Sequence, residues 1–268
     1  MTGMSRKELN IVLIQSDISW EDAGKNLAHF SERVNAVTGP VDLIVLPEMF
    51  NTGFTTNTEH CAETMNGKSI RFMEEVAGIK KCMVIGSLLI KEEAAYYNRL
   101  VCMFPDGIFK TYDKRHLFRL SQEYRVIHGG RGKTLVNVNG WSCLPLVCYD
   151  LRFPVWSKNL YREGKYEYDL LVYPANWPKS RAHVWKTLLT ARAIENQAYV
   201  VGVNRIGTDG YGTPHGGGSM VIDPKGIIIA EAGEEEQNIH AVLSAEELDL
   251  FRESFKIGLD WDRFTIEI

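Results

Sequence analysis

A cysteine lies where an apolar run stops, at a position suited to nucleophilic chemistry. Residues 144–147 have the composition of a buried strand, and residues 149–153 after Cys148 are more polar and favour a helical turn. The end of a strand projects the next side chain above the edge of a sheet. The N–H groups of a following helix favour a thiolate and can bind an oxyanion. Cys148 is therefore a candidate nucleophile, although a free cysteine is more often a buried structural residue.

Two further residues have the types that a cysteine nucleophile needs. Glu48 directly follows the apolar run 41–46 and Pro47, so its carboxylate is also held above a strand end. Lys114 lies in the charged segment 113–125, which alone would be read as a solvated loop. A carboxylate can take a thiol proton and an ammonium can stabilise an oxyanion. Together with Cys148 these residues form an acyl-transfer set, but an isolated Glu or Lys usually lies on the surface.

Other chemistries have weaker support in the sequence. A cysteine–histidine dyad with Cys148 stays open, although none of the candidate histidines lies in a recognisable context. The candidate partners are His116, His128, His183 and His215. The glycine run 216–218 lacks the spacing of a phosphate-binding loop and is better interpreted as a tight turn. Seven histidines without HxH or HxxxH spacing, and five cysteines without a CxxC pair, predict no metal site.

The composition indicates a globular protein whose partners are small molecules or protein. The chain has 268 residues, 45% of them hydrophobic and 24% charged, which is enough for a sizeable core. The net charge of −4 and the lack of any basic cluster longer than Lys80-Lys81 predict no binding to nucleic acid or to an anionic membrane. No apolar run reaches the length of a membrane span.

The cysteine count and the N-terminus both favour a cytoplasmic location. An odd number of cysteines argues against a closed disulfide framework and indicates a reducing compartment. Residues 1–8 are polar and lead directly into a strand-like run, which predicts neither a signal peptide nor a transit peptide. We therefore expect a cytoplasmic protein.

Hydrophobic periodicity predicts strands that alternate with helices and hairpins to the end of the chain. Strands are predicted at 9–15, 41–46, 83–90, 168–173 and 198–203, with hairpins around 105–107, 139–140 and 223–226. Helices are predicted after Asp22 and at 70–81, 182–196 and 246–255. Because no linker, repeat or low-complexity stretch interrupts this order, we expect one domain, residues 1–268, of α/β layers with a mixed sheet.

Three segments, in this order, resemble the catalytic motifs of the nitrilase superfamily, the carbon–nitrogen hydrolases. They are LPEMF (46–50), YDKRHL (112–117) and LVCYDLRFP (146–154). The resemblance continues through PANWP (174–178), ARAIENQAY (191–199) and GSMVIDPKG (218–226), and so covers nearly the whole chain. It implies a four-layer αββα sandwich with mixed sheets, in subunits that pair into a homodimer or a higher homo-oligomer.

The resemblance also implies a site that works without a cofactor. The family's catalytic triad falls on Glu48, Lys114 and Cys148, and a second assisting glutamate falls on Glu123. The alignment of Glu123 is looser, because residues 121–125 carry no distinctive motif.

Two segments resemble the ω-amidase branch of the superfamily, which includes the bacterial 2-oxoglutaramate and 2-oxosuccinamate amidases. These are NTGFTT (51–56) and Asn176-Trp177. The implied reaction cleaves the terminal amide of a small 2-oxo acid to give the 2-oxo dicarboxylate and ammonia. The same triad could instead act on a nitrile, an N-carbamoyl amine or an aliphatic amide, or be vestigial in a binding relative.

The substrate-binding residues are less sharply defined by the sequence. We expect a backbone N–H near Tyr149 to hold the oxyanion, and Asn176 and Trp177 to contact the substrate. An arginine can bind the substrate carboxylate with two hydrogen bonds, and the sequence does not choose among the candidates. The candidates are Arg119, Arg125 and Arg152. For Arg152 an ion pair with Asp150 is an equally good interpretation.

Overall fold

The computed structural model describes residues 8–267 and contains sixteen strands and six α-helices within that range. The strands are β1 (Leu9–Gln15), β2 (Leu43–Val45), β3 (Met83–Glu92), β4 (Ala95–Met103), β5 (Phe109–Asp113), β6 (Val136–Val138), β7 (Trp141–Pro145), β8 (Tyr161–Arg162), β9 (Lys165–Tyr166), β10 (Leu170–Pro174), β11 (Tyr199–Val203), β12 (Ile206–Thr208), β13 (Pro214–Gly216), β14 (Met220–Ile222), β15 (Ile228–Glu231) and β16 (Gln237–Leu243). The helices are α1 (Ala23–Asn35), α2 (Thr58–Cys61), α3 (Lys68–Lys80), α4 (Pro154–Ser157), α5 (Ala182–Asn196) and α6 (Ala245–Ser254).

Two six-stranded sheets carry the fold, and both are built on the same plan. The first has the order β16-β1-β2-β3-β4-β5, and the second has the order β15-β14-β11-β10-β7-β6. In each sheet three central strands run parallel, β1-β2-β3 in one and β7-β10-β11 in the other. Antiparallel strands extend both edges. The prediction of mixed sheets is confirmed.

The two sheets pack face to face, because side chains alternate between the faces of each strand. Along β1, Ile11 and Leu13 join the apolar cluster that includes Leu144 of the second sheet. Val12 and Ile14 face the other way and pack in a cluster with the helices α1 and α3. The first sheet therefore lies between a helical layer and the second sheet.

Helix α5 covers the second sheet. Its Trp185 and Leu189 are buried, and β11 meets them at Gly202. A Cβ at Gly202 would lie 2.5 Å from Leu189 Cδ1, so only glycine allows this close approach. With α1 and α3 on one side and α5 on the other, the predicted four-layer αββα sandwich is confirmed.

Most predicted elements agree with the structure. β1 and α5 have the predicted bounds, and the three predicted hairpins form between β4 and β5, β6 and β7, and β14 and β15. The predicted strand 41–46 is shorter, Leu43–Val45, and β16 was not predicted. β16 pairs with β1 along all seven residues, but most of its side chains are exposed or half-buried, so it lacks an apolar run.

Two predictions concern the N-terminus and membranes. The prediction of no signal peptide concerns the polar N-terminal segment, residues 1–8. Residues 1–7 of that segment lie outside the described residues. Across residues 8–267 there is no helix of the length and apolarity that a membrane crossing requires.

Candidate active site

Glu48 is fully buried at the end of the central strand β2. The chain leaves the sheet at Leu46, whose N–H still donates to Ile85 O, and Pro47 then ends the ladder. Met49 has a φ of 43°, and its N–H donates to Ser87 Oγ at 2.9 Å. This left-handed residue turns the chain sharply and leaves the Glu48 carboxylate above the sheet edge, with none of its surface exposed.

Lys114 follows β5 and carries its ammonium into the same buried space. Its Nζ lies 2.9 Å from Glu48 Oε1, and 3.1 and 3.0 Å from the two oxygens of Glu123. Burial by itself lowers the pKa of Lys114, but the charges of Glu123 and Glu48 outweigh that effect and raise it above its ordinary value. Lys114 is therefore an ammonium at neutral pH, and the two carboxylates hold it in place.

Cys148 begins the 3₁₀ turn Cys148–Arg152 after β7, with a φ of 41°. A non-glycine residue in this left-handed region is strained, and such strain is concentrated at functional sites. The residue is buried, with 8% of its surface exposed. Burial, and next the charge of Glu48, raise the pKa of Cys148 well above its ordinary value, while Lys114 lowers it. The resting thiol is thus protonated, with a carboxylate placed to take its proton.

Glu123 and Asn98 belong to a buried polar network with Glu48 and Lys114. Asn98 Nδ2 donates to Glu48 Oε1 at 2.8 Å and to Glu123 Oε1 at 3.3 Å, and Phe118 N–H donates to Glu123 Oε2 at 2.6 Å. Burial raises the pKa of Glu123, while Lys114 opposes the shift. Asn98 was not found in the sequence analysis, since nothing marks it within β4.

Asn176 fixes the second oxygen of Glu48. Its backbone N–H donates to Glu48 Oε2 at 2.9 Å, and its side-chain amide donates to the backbone oxygen of Glu48. Asn176 follows β10 of the second sheet, and Glu48 follows β2 of the first sheet. The two sheets therefore meet here through residues that follow a central strand of each. The Glu48 carboxylate thus accepts hydrogen bonds from Lys114, Asn98 and the Asn176 N–H, and all three of these residues are buried.

A cavity of about 570 Å³ opens onto these side chains. The predicted site residues that line it are Glu48, Lys114, Cys148, Tyr149, Arg152, Asn176 and Trp177. Glu123 lies behind Lys114, outside the lining. The lining residues that the sequence analysis did not select for substrate binding include Phe54, Phe118, Arg181, Tyr211 and His215. Phe118 directly precedes Arg119 and Arg181 lies four residues after Trp177, and this nearness is the only signal that the sequence offered for them.

Two of the predicted arginines lie outside this cavity. Arg119 and Arg125 are exposed, and both guanidinium groups pack against the exposed ring of Tyr124. The 3₁₀ turn Glu123–Arg125 directs Glu123 inward and Arg125 outward. Arg152 is different, because it lines the cavity with its guanidinium 5.1 Å from the centre of the Trp177 ring.

The ion pair between Arg152 and Asp150, left open by the sequence, does not form. Asp150 is fully buried and accepts hydrogen bonds from Tyr112 Oη at 2.8 Å and from the N–H groups of His116 and Val147 at 3.0 and 3.1 Å. Within residues 8–267 no carboxylate lies within ion-pair distance of Arg152. The Arg152 guanidinium therefore keeps its hydrogen-bond donors for another partner.

The histidines are not arranged as partners of Cys148. His116 is bound to Asp150, and His128 and His183 are exposed. His215 lines the cavity, but burial and the nearby Arg205 lower its pKa to about 4. The carboxylate whose charge acts on the thiol is that of Glu48, which lines the same cavity. In the described part of the chain, no group of three or more His, Cys, Asp or Glu side chains is placed to hold a metal ion.

Residues 10–252 match the family of carbon–nitrogen hydrolases. The chain is 43% identical to the omega-amidase YafV of Escherichia coli K12 over 259 residues, which cover 96% of this chain and 98% of that one. It is 31% identical to the 2-oxoglutaramate amidase of Bacillus subtilis over 252 residues, which cover 92% and 95%.

A solved structure gives the same result for the fold. XC1258 from Xanthomonas campestris, described as a CN-hydrolase superfamily protein with an arsenic adduct in its active site, superposes with a TM-score of 0.95. The match covers 97% of this chain and 99% of that chain, with 39% sequence identity.

Proposed function

The chain belongs to the carbon–nitrogen hydrolase family, and we propose that it hydrolyses the terminal amide of a small 2-oxo acid, such as 2-oxoglutaramate or 2-oxosuccinamate. The products are the 2-oxo dicarboxylate and ammonia. The observation that carries this proposal is that Cys148 lines one cavity with Glu48 and Lys114, whose Nζ lies 2.9 Å from Glu48 Oε1. The choice of a 2-oxo acid amide rests on the omega-amidase and 2-oxoglutaramate amidase relatives.

The first step forms a bond between the sulfur and the amide carbon. Glu48 takes the proton of Cys148 as the thiol attacks, because a buried thiol with a raised pKa is a poor nucleophile without a base. The carbonyl oxygen becomes an oxyanion, which Lys114 and a backbone N–H near Tyr149 stabilise. Removing one such donor typically costs about 10²–10³ in rate.

The second step breaks the carbon–nitrogen bond. The oxyanion collapses to a thioester, and the amine leaves as ammonia with the proton that Glu48 had taken. A water molecule then gives a proton to the same carboxylate and attacks the thioester carbon. The carbon–sulfur bond breaks, the proton returns to Cys148, and the acid product leaves, so that Glu48 acts twice in one turnover.

Glu123 supports this cycle through Lys114. It binds the ammonium with both oxygens and keeps the amine charged while Glu48 gains and loses a proton. We propose that Glu123 positions Lys114 and balances its charge without contacting the reacting carbon, since it lies behind the cavity wall.

Substrate binding is proposed for residues of the cavity wall. Arg152 is the sequence-predicted arginine that lines it, and the packing of its guanidinium on Trp177 fixes the plane of the donors. Tyr149, Asn176 and Trp177 line the same cavity as Cys148. Arg119 and Arg125 lie outside the cavity, and we do not propose them as ligands of the substrate.

We also propose that residues 1–268 act as one domain, in a homodimer or higher homo-oligomer in the cytoplasm. The five cysteines are all free, which is compatible with a reducing compartment. Sedimentation of the purified protein measures the oligomeric state.

The experiment that tests the proposed function is a substrate panel read by ammonia release. The panel contains 2-oxoglutaramate, glutamine, an aliphatic amide, an N-carbamoyl amino acid and a nitrile, each with the wild type and with Cys148→Ala. We expect selective turnover of 2-oxoglutaramate that is lost in the variant. Selective turnover of another compound would contradict the substrate assignment, and turnover retained in Cys148→Ala would contradict the nucleophile.

A further inference from the structure

Arg181 is a cavity residue whose backbone is fixed from both sides. It ends the 3₁₀ turn Lys179–Arg181, directly before the 15-residue helix α5. Its N–H donates to Pro178 O at 3.0 Å, and its carbonyl oxygen accepts from Trp177 Nε1 at 2.9 Å. The residue is half-buried and lines the same cavity as Cys148. The side chain therefore starts from a rigid point on the wall of the reaction chamber.

The guanidinium of Arg181 is held by an aromatic ring and has no anionic partner. It lies 5.5 Å from the centre of the Phe118 ring, and Phe118 in turn packs edge-on against Tyr149 at 5.1 Å. A guanidinium stacked on a ring keeps its N–H edges free for a planar anion. Within residues 8–267 no carboxylate lies within 4.0 Å of the Arg181 guanidinium, so those edges are not used by the protein.

The neighbouring cation of the same turn behaves in the opposite way. Lys179 is exposed, and its Nζ lies 2.6 Å from Glu234 Oε2. The turn thus directs Lys179, which is neutralised by Glu234, to the solvent, and it directs Arg181, which has no counterion among the described residues, to the cavity. Among the described residues, Glu48 is the only acidic one in the cavity lining, and it is already bound to Lys114. Moreover, the positive end of the α5 helix dipole begins at the next residue and adds to the positive potential there.

We infer that Arg181 is a specificity-determining residue that binds the substrate carboxylate at the end remote from the amide. This inference rests on the proposed function. Arg152 belongs to the same turn as Cys148, whereas Arg181 comes from a separate element, so the two guanidinium groups enter the cavity from different segments. A carboxylate accepts two parallel hydrogen bonds from such a fork. An amide that carries no carboxylate gains nothing from Arg181 and leaves its charge unpaired.

The test compares two amides that differ only at the remote end. Glutaramate has a carboxylate where pentanamide has a methyl group, and 2-oxoglutaramate is measured beside them. The variants are Arg181→Met, which keeps length and packing on Phe118, and Arg181→Lys, which keeps the charge and loses the fork. Arg162→Met is the matched control, because Arg162 is exposed on a short hairpin outside the cavity. Thermal melting of each variant checks the fold.

For Arg181→Met we expect kcat/KM to fall about 10- to 100-fold for glutaramate and 2-oxoglutaramate, mainly through KM, as for loss of a charged hydrogen bond. With pentanamide it should stay within about twofold, and Arg181→Lys should recover part of the loss. If kcat/KM of Arg181→Met fell equally for glutaramate and pentanamide, or fell for neither, the inference about Arg181 would be overturned and the proposed function would stand. A wild type that leaves 2-oxoglutaramate unhydrolysed would overturn the proposed function and the inference with it.

Discussion

Asp150 binds His116 twice: one of its oxygens accepts the His116 backbone N–H at 3.0 Å and lies 2.7 Å from His116 Nδ1. The other oxygen accepts from Tyr112 Oη at 2.8 Å. Asp150 belongs to the turn that begins with Cys148, while Tyr112 and His116 flank Lys114 in sequence. The His116 ring is also stacked on Phe153 with centroids 3.7 Å apart. One buried carboxylate thus joins the segment that carries the nucleophile to the segment that carries the ammonium.

Replacing Asp150 by Asn should disturb the site without removing a reacting group. An amide offers one acceptor oxygen, and its NH₂ would face donors that now bind a carboxylate. We expect kcat to fall about 10- to 100-fold, with little change in KM, because small displacements of catalytic groups are costly. The free energy of unfolding should fall by about 1–3 kcal/mol, as for a buried donor left unpaired.

The matched control for that variant is Asp169→Asn. Asp169 is also a buried aspartate, and it is paired with Arg252 at 2.7 Å outside the cavity lining. Its variant should lose stability and keep kcat. Equal effects of the two substitutions on kcat would show that Asp150 has no special role in positioning.

Glu48→Gln should remove the base and keep the shape of the site. The amide oxygen of Gln can accept from Lys114 and Asn98, while its NH₂ would face the Asn176 N–H, so the fold should be retained with some loss of stability. We expect kcat to fall about 10²- to 10⁴-fold, the usual contribution of general acid–base catalysis. Steady-state ammonia release measures this, and Glu92→Gln, which changes the ion pair of the exposed Glu92 with Arg99, is the control. Activity within tenfold of wild type would argue against Glu48 as the base.

Glu123→Gln should move the alkaline limb of the pH profile. The charge of Glu123 helps to raise the pKa of Lys114, so its removal lowers the pH at which the ammonium loses its proton. If Lys114 must be charged to hold the oxyanion, kcat/KM of the variant should decline at lower pH than that of the wild type. Profiles of kcat/KM against pH measure this, and coincident alkaline limbs would contradict the role of Glu123.

His215 should make the protein less stable in mild acid. Burial, and next the charge of Arg205, lower its pKa from 6.5 to about 4, whereas Asp209 and Glu48 oppose the shift more weakly. In the unfolded chain the imidazole binds its proton near pH 6.5, so the stability present above that pH is lost as the pH falls toward 4. Between pH 7.5 and 5.5 this linkage amounts to about 1 kcal/mol.

Denaturant unfolding of His215→Gln at these two pH values measures the effect. The variant should lose about 1 kcal/mol less than the wild type on acidification. His240→Gln is the control, because His240 is exposed on β16. A wild type and a His215→Gln variant with the same pH dependence would show that the buried imidazole is not linked to folding.

The sequence predicts the parts of the fold that depend on local patterns. The bounds of α5 and the hairpin around 105–107 follow from apolar periodicity and turn residues, and the structure confirms both. The positions of Glu48 and Cys148 at strand ends follow from the same reasoning, because the end of an apolar run is visible in the sequence.

Contacts between distant residues are not visible in this way. Asn98 binds Glu48 across fifty residues, and Asp150 binds Tyr112 across thirty-eight, so no local pattern marks either residue. Arg119 and Arg125 were candidates because an arginine can bind a carboxylate with two hydrogen bonds, but two short 3₁₀ turns place them on the surface. Arg181 was not chosen, because its place in the cavity depends on how α5 packs on the second sheet.

The measurement that most directly tests the central claim is the mass of the enzyme during turnover. Wild type mixed with 2-oxoglutaramate, quenched in acid within milliseconds and digested, should carry an adduct on Cys148 with the mass of the substrate minus ammonia. Cys148→Ala should carry none and release no ammonia. An adduct on another residue, or ammonia release by Cys148→Ala at the wild-type rate, would contradict catalysis by the Cys148 thiol.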